Sequence, residues 1–291
     1  MKSGPTLSLI ITAWREPRTV GKSLEIFLKQ IDFKKDQVLV VAPDKKTLEA
    51  AQTVSEKIET LADEGKGKPA ALNLALAKAK GEIVVLTDGD VWTNKDSLEP
   101  LLKEFKDSKV GIVSGQPVSL NDKNTLLGFW AYFLTQVAHK IRMAKSEKGE
   151  YFDASGYLLA ARKHLLPVLP KEVLTDDVFF SQKVHLQGYK VAYAPQARVY
   201  VKYPTNIKDW VKQKVRSAGG AGERLVNQAP VMRGFSNEVK GSFYFFSLPK
   251  TPKEWIWLTF LYLARAYVWM LVFFKIRLLK RRSWPRIEST K

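Results

Sequence analysis

The stretch that decides the fold is "GEIVVLTDGDVWTNKDSLEP", residues 81–100. Its apolar run, Ile83 to Leu86, is typical of a strand that is buried on both faces, as in a parallel sheet covered by helices. The run ends in Thr87-Asp88-Gly89-Asp90, which places two carboxylates one residue apart. Such a pair is either an ordinary turn or a site for a positively charged ligand, and this segment alone leaves both readings open.

The segments before and after this strand alternate between strand and helix patterns. This order predicts an α/β fold with a mostly parallel sheet and helices on both faces. Ligands bind such sheets beyond the carboxyl ends of the strands, so we expect Asp44, Asp88 and Asp90 to meet at one rim. The predicted strands are 7–12, 37–42, 82–87 and 110–115, and the predicted helices are 19–30, 46–61, 69–80 and 96–107.

The second half of the chain is predicted to be mixed, with a long helix over 123–145 and a strand in "YFDASGYLLAARKHLL". A further helix opens at Thr175 and ends at Gly188, and "NIKDWVKQKVRSAGGAGERLVNQ" is predicted to be helical with a glycine-rich middle. From residue 252 an apolar helix is followed by "KIRLLKRRSWPR", which carries six basic residues and no acid. A basic cluster beside an apolar helix indicates attachment to a membrane surface.

The amino-acid composition limits which metals and partners the chain can bind. The 291 residues contain no Cys, so disulfides and thiolate metal sites are excluded. The three His residues do not have metal-binding spacing, which disfavours a zinc site. A metal would therefore be held by oxygen ligands, which favours Mg²⁺ or Mn²⁺. The net charge of +18 suits nucleic acid, anionic lipid or phosphorylated substrates. No nucleic-acid-binding signature accompanies it, so we expect no nucleic-acid partner.

Three further motifs each have a structural and a chemical reading. Lys66-Gly67-Lys68-Pro69 is either a solvated basic loop or an anion cradle at a helix N-terminus. Thr175-Asp176-Asp177 is either a helix start, with acids matching the helix dipole, or the site of a general base. Gln213 and Arg216 share one helix face, which is either an exposed basic surface or a site where arginine contacts a departing phosphate.

The order of these motifs resembles the family 2 glycosyltransferases, most closely their cellulose-synthase and hyaluronan-synthase-like branch. The resemblance consists of a strand-end Asp, K-G-K-P-x-x-x-N, D-x-D, T-D-D and Q-x-x-R, and it extends over nearly the whole chain. It implies a GT-A fold, with a Rossmann-like mostly parallel sheet and membrane-associated C-terminal helices. It also implies a donor that is a UDP- or GDP-linked sugar, and Mg²⁺ or Mn²⁺ as the cofactor.

The resemblance assigns roles to matching positions only. Asp44, Lys68 and Asp88 match nucleotide-binding residues, and Asp90, together with Asp88, matches the metal ligands. Asp177 matches the catalytic base. The remaining matches are Asp176 and Gln213 in the acceptor or diphosphate region, and Arg216 as a catalytic residue that stabilises the leaving diphosphate.

Two departures from the family pattern matter. Asp176 stands where Glu is usual, and Ser217 stands where the polymerising synthases have a Trp beside the acceptor. We therefore expect inverting transfer of a sugar to a hydroxyl on a glycan or lipid-linked acceptor, without full processive polymer synthesis. A non-catalytic basic membrane- or glycan-binding protein and a nucleotidyltransferase on a similar sheet are the alternatives.

The chain is expected to divide into three parts and to act at a membrane. The first predicted part is a catalytic domain over 1–203, with a nucleotide-sugar half over 1–115 and an acceptor half over 116–203. The second part is the Q-x-x-R helix with a glycine-rich segment over 204–245, and the third is a membrane-proximal tail over 246–291. Because Arg265 lies mid-way along the apolar segment 255–274, an interfacial or re-entrant helix is favoured over a span or a core helix. The expected location is the cytoplasmic face of an anionic membrane, as a peripheral or monotopic protein.

Overall fold

The computed structural model describes residues 6–221, 248–274 and 288–290. The predicted basic cluster at 275–286 and residues 222–245 of the predicted glycine-rich segment lie outside the described residues. Within the described chain, eight strands form one sheet. The strands are β1 (Leu7–Thr12), β2 (Gln37–Ala42), β3 (Glu59–Ala62), β4 (Ile83–Asp88), β5 (Trp92–Thr93), β6 (Val110–Ser119), β7 (Leu158–Arg162) and β8 (Lys190–Val201).

The helices connect these strands and extend beyond them. Two short 3₁₀ helices occupy Lys163–Leu165 and Glu288–Thr290. The α-helices are α1 (Val20–Leu28), α2 (Lys45–Val54), α3 (Lys68–Lys78), α4 (Leu98–Glu104), α5 (Leu126–Glu147), α6 (Asp176–Leu186), α7 (Ile207–Ala221) and α8 (Pro252–Val272).

The sheet has the strand order β3-β2-β1-β4-β7-β6-β8-β5. Its first half is wholly parallel, because β1 pairs with β2 and β4, and β2 pairs with β3, all in parallel. β7 is antiparallel to both of its neighbours, β4 and β6, while β6 and β8 are parallel and β5 is an antiparallel edge strand. The predicted mostly parallel α/β sheet is therefore confirmed.

The predicted helix over 46–61 is wrong in its second half. Helix α2 ends at Val54 because Ser55 adopts an extended conformation (φ −164°, ψ 132°), and a turn follows in which Ile58 N donates to Ser55 O at 3.2 Å. Glu59–Ala62 then pairs with β2 as strand β3. This four-residue strand is only partly buried, so it lacks the apolar run by which β1, β2 and β4 are recognised.

Alternate residues of the central strands build two cores on opposite faces of the sheet. Leu9 and Ile11 pack with α1, α2 and α4, whereas Ile10 packs with α3 and α6. All three side chains are completely buried. Full burial of such a side chain contributes about 1.5–3 kcal/mol, so covering both faces accounts for the uninterrupted apolar runs in these strands.

A third cluster joins α5, α7 and α8. Its buried members are Phe129, Trp130, Phe133, Trp210, Ala218, Leu258, Leu261, Val268 and Val272. The indole Nε1 of Trp130 donates to the carbonyl oxygen of Trp257 at 2.7 Å, which fixes α5 against the start of α8. Among the described residues, α8 alone is long and apolar enough to cross a membrane by length and composition. The division of the chain at 203 and 245 stays a prediction.

Candidate active site

The carboxyl ends of β1 and β4 place the D-G-D turn against the end of the neighbouring strand. Thr12 pairs with Asp88 in register, and its hydroxyl donates to Asp88 Oδ1 at 3.2 Å. Gly89 N donates to Thr12 O at 2.9 Å. A Cβ at Gly89 would lie 2.7 Å from Ala13 Cβ, so a larger residue would push the turn away from β1. The glycine between the two aspartates is thus required by packing.

Lys68 connects the D-G-D and T-D-D motifs, which lie more than eighty residues apart in sequence. It is the first residue of α3, and its Nζ lies 2.7 Å from Asp88 Oδ1 and 3.6 Å from Asp176 Oδ2. The ammonium group therefore bridges the acid at the end of β4 and the acid that opens α6. This geometry favours the chemical reading of the K-G-K-P loop over a solvated loop, because the Lys68 side chain is mostly buried between these carboxylates.

Burial and charge shift the pKa values of this group in defined directions. Burial alone would lower the pKa of Lys68, but the carboxylates of Asp176 and Asp88 outweigh it and raise the pKa, so the ammonium stays charged. Burial raises the pKa of Asp176, and the neighbouring charges of Asp177 and Asp88 add to this, while Lys68 opposes it. The cation is what allows several carboxylates to share this small space.

Asp177 is oriented by backbone donors. Its Oδ2 accepts from Gly156 N at 2.9 Å and its Oδ1 from Val178 N at 2.9 Å. Thr175 stands at the N-cap of α6, but its side chain makes no capping hydrogen bond there. The structural reading thus holds in part, because Asp176 and Asp177 do lie in the first turn of α6, where acids suit the helix dipole. The Asp177 carboxylate also lies at the wall of a cavity.

Helix α7 brings the Q-x-x-R pair to the same place. Gln213 Nε2 lies 3.5 Å from Tyr157 Oη, and the buried Gln213 Oε1 has no hydrogen-bond partner within the described structure. A Cβ at Gly220 would lie 2.6 Å from Thr175 Cγ2. The glycine-rich end of α7 thus permits close approach to the loop that carries Asp176 and Asp177.

Tyr157 lies near enough to Arg216, Asp88, Asp90 and Asp177 for their charges to act on its hydroxyl, although it belongs to none of the predicted motifs. Thr87 Oγ1 donates to the Tyr157 carbonyl oxygen at 2.8 Å, which ties this residue to the end of β4. Burial raises the pKa of the Tyr157 hydroxyl; Arg216 opposes this shift and Asp88, Asp90 and Asp177 add to it. The only sequence signal was the polar "DASGY" before a predicted strand, a pattern that is also common in loops.

A cavity of about 540 Å³ collects most of the predicted site residues. Its lining includes Lys68, Asp88, Asp176, Asp177, Gln213, Arg216 and Ser217. The opposite wall comes from α5 and from Leu261, Tyr262, Arg265, Ala266 and Trp269 of α8. The apolar C-terminal helix, predicted only as a membrane-proximal element, is therefore also part of the cavity wall.

Two predicted site residues lie on the same sheet edge but outside this lining. Asp44 caps α2, with Oδ1 accepting from Thr47 N at 3.0 Å and Oδ2 from Arg15 N at 2.9 Å. Its strand is two positions from β4, roughly 10 Å along the edge. Asp90 lies two residues after the end of β4, and its negative charge helps to raise the pKa of the Tyr157 hydroxyl. The three acids thus share an edge without forming one cluster, and their assigned roles stay predictions.

One further acid on this edge was missed. Asp63 follows β3, and its buried Oδ1 accepts no hydrogen bond within the described structure. Burial raises its pKa, an effect that the Gly65 backbone N–H partly offsets. Because β3 itself was predicted as helix, no strand-end pattern pointed to Asp63.

Comparison with known sequences identifies relatives over most of the chain. Residues 5–220 match the family described as "Glycosyltransferase like family 2". The poly-β-1,6-N-acetyl-D-glucosamine synthase of Staphylococcus aureus (strain COL) is 24% identical over 230 residues, which are 76% of this chain and 55% of that protein. Its Staphylococcus epidermidis counterpart is 25% identical over 232 residues, with the same coverage. The chain spans about half the length of the curated relatives it matches.

Solved structures show the same fold. A mannosyltransferase from Pyrobaculum calidifontis, PcManGT, in complex with GDP-Man and Mn²⁺, superposes with a TM-score of 0.67 at 21% identity, covering 96% of this chain and 87% of that chain. Staphylococcus aureus TarS gives a TM-score of 0.52 at 17% identity, covering 86% of this chain and 47% of that chain. The predicted GT-A type of sheet is confirmed by this similarity.

Proposed function

Because the chain belongs to the family 2 glycosyltransferases, we propose that it transfers a sugar from a nucleotide-diphosphate sugar to a hydroxyl acceptor with inversion at the anomeric carbon. The observation that carries this proposal is the convergence of Lys68, Asp88, Asp177 and Arg216 on one cavity. Donor-side and acceptor-side candidates, which are far apart in sequence, thereby face the same space.

The donor side consists of the end of β4 and the start of α3. We assign Asp88 and Lys68 to the nucleotide diphosphate, and Asp44 to the nucleoside end of the same sheet edge. Lys68 Nζ already lies 2.7 Å from Asp88 Oδ1, so this carboxylate is positioned to hold a cation. The described residues contain no group of three or more His, Cys, Asp or Glu that could hold a metal ion.

A divalent ion nevertheless fits the donor set. Mg²⁺ is usually held by one or two carboxylates together with water and substrate phosphates, so Asp90 and Asp88 would suffice when the nucleotide supplies the remaining oxygens. PcManGT was solved with Mn²⁺ and GDP-Man, which supports a divalent metal of this kind here. When bound, Mg²⁺ or Mn²⁺ would neutralise charge on the leaving diphosphate.

The acceptor side performs the proton transfer. Asp177 accepts the proton of the acceptor hydroxyl as that oxygen forms its bond to the anomeric carbon. The bond from the anomeric carbon to the phosphate oxygen breaks, and the nucleoside diphosphate leaves beside Arg216, whose guanidinium stabilises its charge. Attack from the face opposite the nucleotide inverts the configuration. The two backbone N–H groups on Asp177 hold its carboxylate ready for this role.

Asp176 and Gln213 support this centre without taking the proton. Asp176 is buried and bound by Lys68, which makes it a link between the donor and acceptor sides. Gln213 offers its unpaired Oε1 beside Tyr157 to a donor group of the acceptor or diphosphate. Ser217 lines the cavity where the polymerising synthases carry a Trp, so we propose transfer without full processive polymer synthesis.

We propose that the protein works at the cytoplasmic face of an anionic membrane, as a peripheral or monotopic protein. Helix α8 packs on α5 and α7 with one face and leaves large apolar side chains exposed on the other. A helix with a stripe of this kind is suited to lie in the headgroup region. The basic residues at 275–286 would add attraction to anionic lipid.

Release of nucleotide from a panel of sugar nucleotides tests the proposal. The panel includes GDP-mannose, the donor bound to PcManGT, and UDP-N-acetylglucosamine, since the curated relatives are named as synthases of an N-acetylglucosamine polymer. We expect at least one donor to be hydrolysed with Mn²⁺ and not with EDTA. A chain that hydrolyses none and binds none would refute the enzymatic proposal.

Membrane attachment has its own test. Flotation with liposomes that contain anionic phospholipid is expected to carry the protein to the top of the gradient. Recovery of the protein at the bottom with both anionic and neutral liposomes would refute the membrane location.

A further inference from the structure

The cavity extends well beyond the carboxylates, between helices α5 and α8. Its wall on α5 runs from Ala131 to Arg142, and its wall on α8 runs from Leu261 to Trp269. At 1.5 Å per residue, the α5 wall is roughly 16 Å long. A single sugar at Asp177 would fill only one end of this space, which leaves room for another part of the acceptor.

The α5 wall is largely apolar. Its lining side chains include Phe133, Leu134, Val137, Ala138 and Ile141. A hydroxyl-rich glycan placed along this wall would give up hydrogen bonds to water without finding partners, which is costly. An alkyl or isoprenoid chain would instead gain from contact with these side chains. The chemistry of the wall therefore favours a lipid portion over further sugars.

The cavity also carries more cations than acids. Five cations line it, namely Lys68, Arg142, Lys214, Arg216 and Arg265, against three carboxylates, those of Asp88, Asp176 and Asp177. Arg142 also donates through Nε to the Asp153 carbonyl oxygen at 3.1 Å. The Arg265 guanidinium lies over the Trp269 ring, 5.9 Å from its centroid. A concave site with an excess of positive charge attracts an anionic group. Phosphate is the anion that joins head groups to lipid chains.

The outer face of α8 links the cavity to a membrane surface. Five α8 side chains at helical spacing, and Phe274 just beyond the end of α8, remain between 48% and 63% exposed; the five are Ile256, Phe260, Leu263, Tyr267 and Met270. Helix α8 thus has the cavity on one side and an uncovered apolar stripe on another. A lipid in the membrane beneath this stripe would need to pass only this one helix to reach the cavity.

We propose that the acceptor is an anionic amphiphile, a phosphate-bearing lipid whose chain lies between α5 and α8 and whose hydroxyl-bearing head reaches Asp177. This rests on the proposed function and specifies its acceptor. The acceptor oxygen bonds to the anomeric carbon, the nucleoside diphosphate leaves, and the proton goes to Asp177. The lipid phosphate takes no part in the bond changes, since it serves for binding only.

The test uses three probes with the full chain: farnesyl phosphate, farnesol and glycerol 3-phosphate, titrated in a calorimeter. The first probe has both chain and charge, and each of the others lacks one of them. We expect farnesyl phosphate to bind at least about tenfold more tightly than either, the equivalent of one charge-assisted hydrogen bond or a few buried methylene groups. Equal binding of farnesyl phosphate and glycerol 3-phosphate would overturn the proposal.

Two variants of α5 compare a position inside the cavity with an exposed position outside it. Ala138→Trp fills the cavity, whereas Ala144→Trp places the same side chain at an exposed position of α5 outside the lining. We expect Ala138→Trp to weaken farnesyl phosphate binding at least about tenfold and Ala144→Trp to leave it unchanged. Melting temperatures of both variants verify folding. Equal affinities in the two variants would place the lipid elsewhere and refute the inference.

A third variant tests the charge. Arg265→Gln is expected to reduce the preference for farnesyl phosphate over farnesol, again about tenfold, while farnesol binding stays the same. Donor hydrolysis by the wild-type chain and by Ala144→Trp is measured in parallel. Hydrolysis with no lipid preference would contradict this inference and leave the proposed function standing, whereas absence of hydrolysis would contradict the proposed function itself.

Discussion

Replacing Lys68 with methionine removes the ammonium group that separates the carboxylates of Asp88 and Asp176. At an effective dielectric constant of about 20, a unit charge at the observed 2.7 Å and 3.6 Å contributes roughly 6 and 5 kcal/mol of attraction, before desolvation is subtracted. Breaking a buried ion pair by removing one partner costs about 3–5 kcal/mol. We therefore expect Lys68→Met to lower the free energy of unfolding by about 3 kcal/mol near neutral pH.

The loss should depend on pH in a defined direction. The pKa of Asp176 is raised above 3.8 in the folded chain, so this group favours the folded state below pH 3.8 and loses that effect as pH rises through its raised pKa. Removing Lys68 takes away the charge that opposes this rise and moves the pKa further up. The variant should therefore be most destabilised at neutral pH and recover part of the loss near pH 4.

Chemical denaturation with EDTA present, followed by tryptophan fluorescence at both pH values, measures the effect. Lys66→Met is the matched control, because Lys66 pairs with Glu64 at the surface and such pairs contribute about 0–1 kcal/mol. Lys68→Arg, which keeps the charge, should retain most of the stability. A loss in Lys68→Met no larger than that in Lys66→Met, or one independent of pH, would refute the assignment of Lys68 as the bridge.

The other predictions concern four substitutions, two at acid residues and two on α8. Asp177→Asn should lower transfer about 100-fold or more while nucleotide affinity, measured by calorimetry, survives; a parallel loss of nucleotide binding would contradict its role as base. Asp90→Ala should abolish the Mn²⁺-dependent part of nucleotide binding, and an unchanged metal response would exclude Asp90 as a ligand. Leu258→Ala should cost about 2–5 kcal/mol of unfolding free energy, because Leu258 is 1% exposed. Ile256→Ala on the outer stripe should cost little stability but weaken liposome flotation, and the reverse pattern would show that the two faces were assigned wrongly.

The donor edge of the site was predictable because it follows from strand patterning. Strands β1, β2 and β4 have continuous apolar runs, and the rule that their carboxyl ends share an edge placed Asp88 near the other strand-end acids. The bridge from Lys68 to Asp176 was not predictable in this way. It depends on how α6 packs against α3, and neither the sheet rule nor local sequence contains that relation.

The position of Asp44 in a motif does not by itself define its role. Its position after β2 was identified correctly, and the structure keeps it on the predicted edge. Its carboxylate, however, accepts the Thr47 and Arg15 backbone N–H groups, which a helix N-cap needs whether or not a nucleoside is bound. A strand-end acid before a helix therefore satisfies both readings at once, and only binding measurements distinguish them.

Helix α8 was recognised from hydropathy, yet hydropathy could not tell which of its apolar faces packs. In a bilayer-spanning orientation, Leu258 and Leu261 would be as well solvated by lipid as by protein. The residues of α5 and α7 that α8 covers would instead be exposed to water if α8 moved away. Among them Phe129, Trp130 and Trp210 are almost fully buried in the same cluster. Each such aromatic buries about 150–250 Å², so exposing one to water costs several kcal/mol. Together with the cost of moving Arg265 into the bilayer centre, this argues for an α8 that keeps its inner face on α5 and α7 and presents only the outer stripe to lipid.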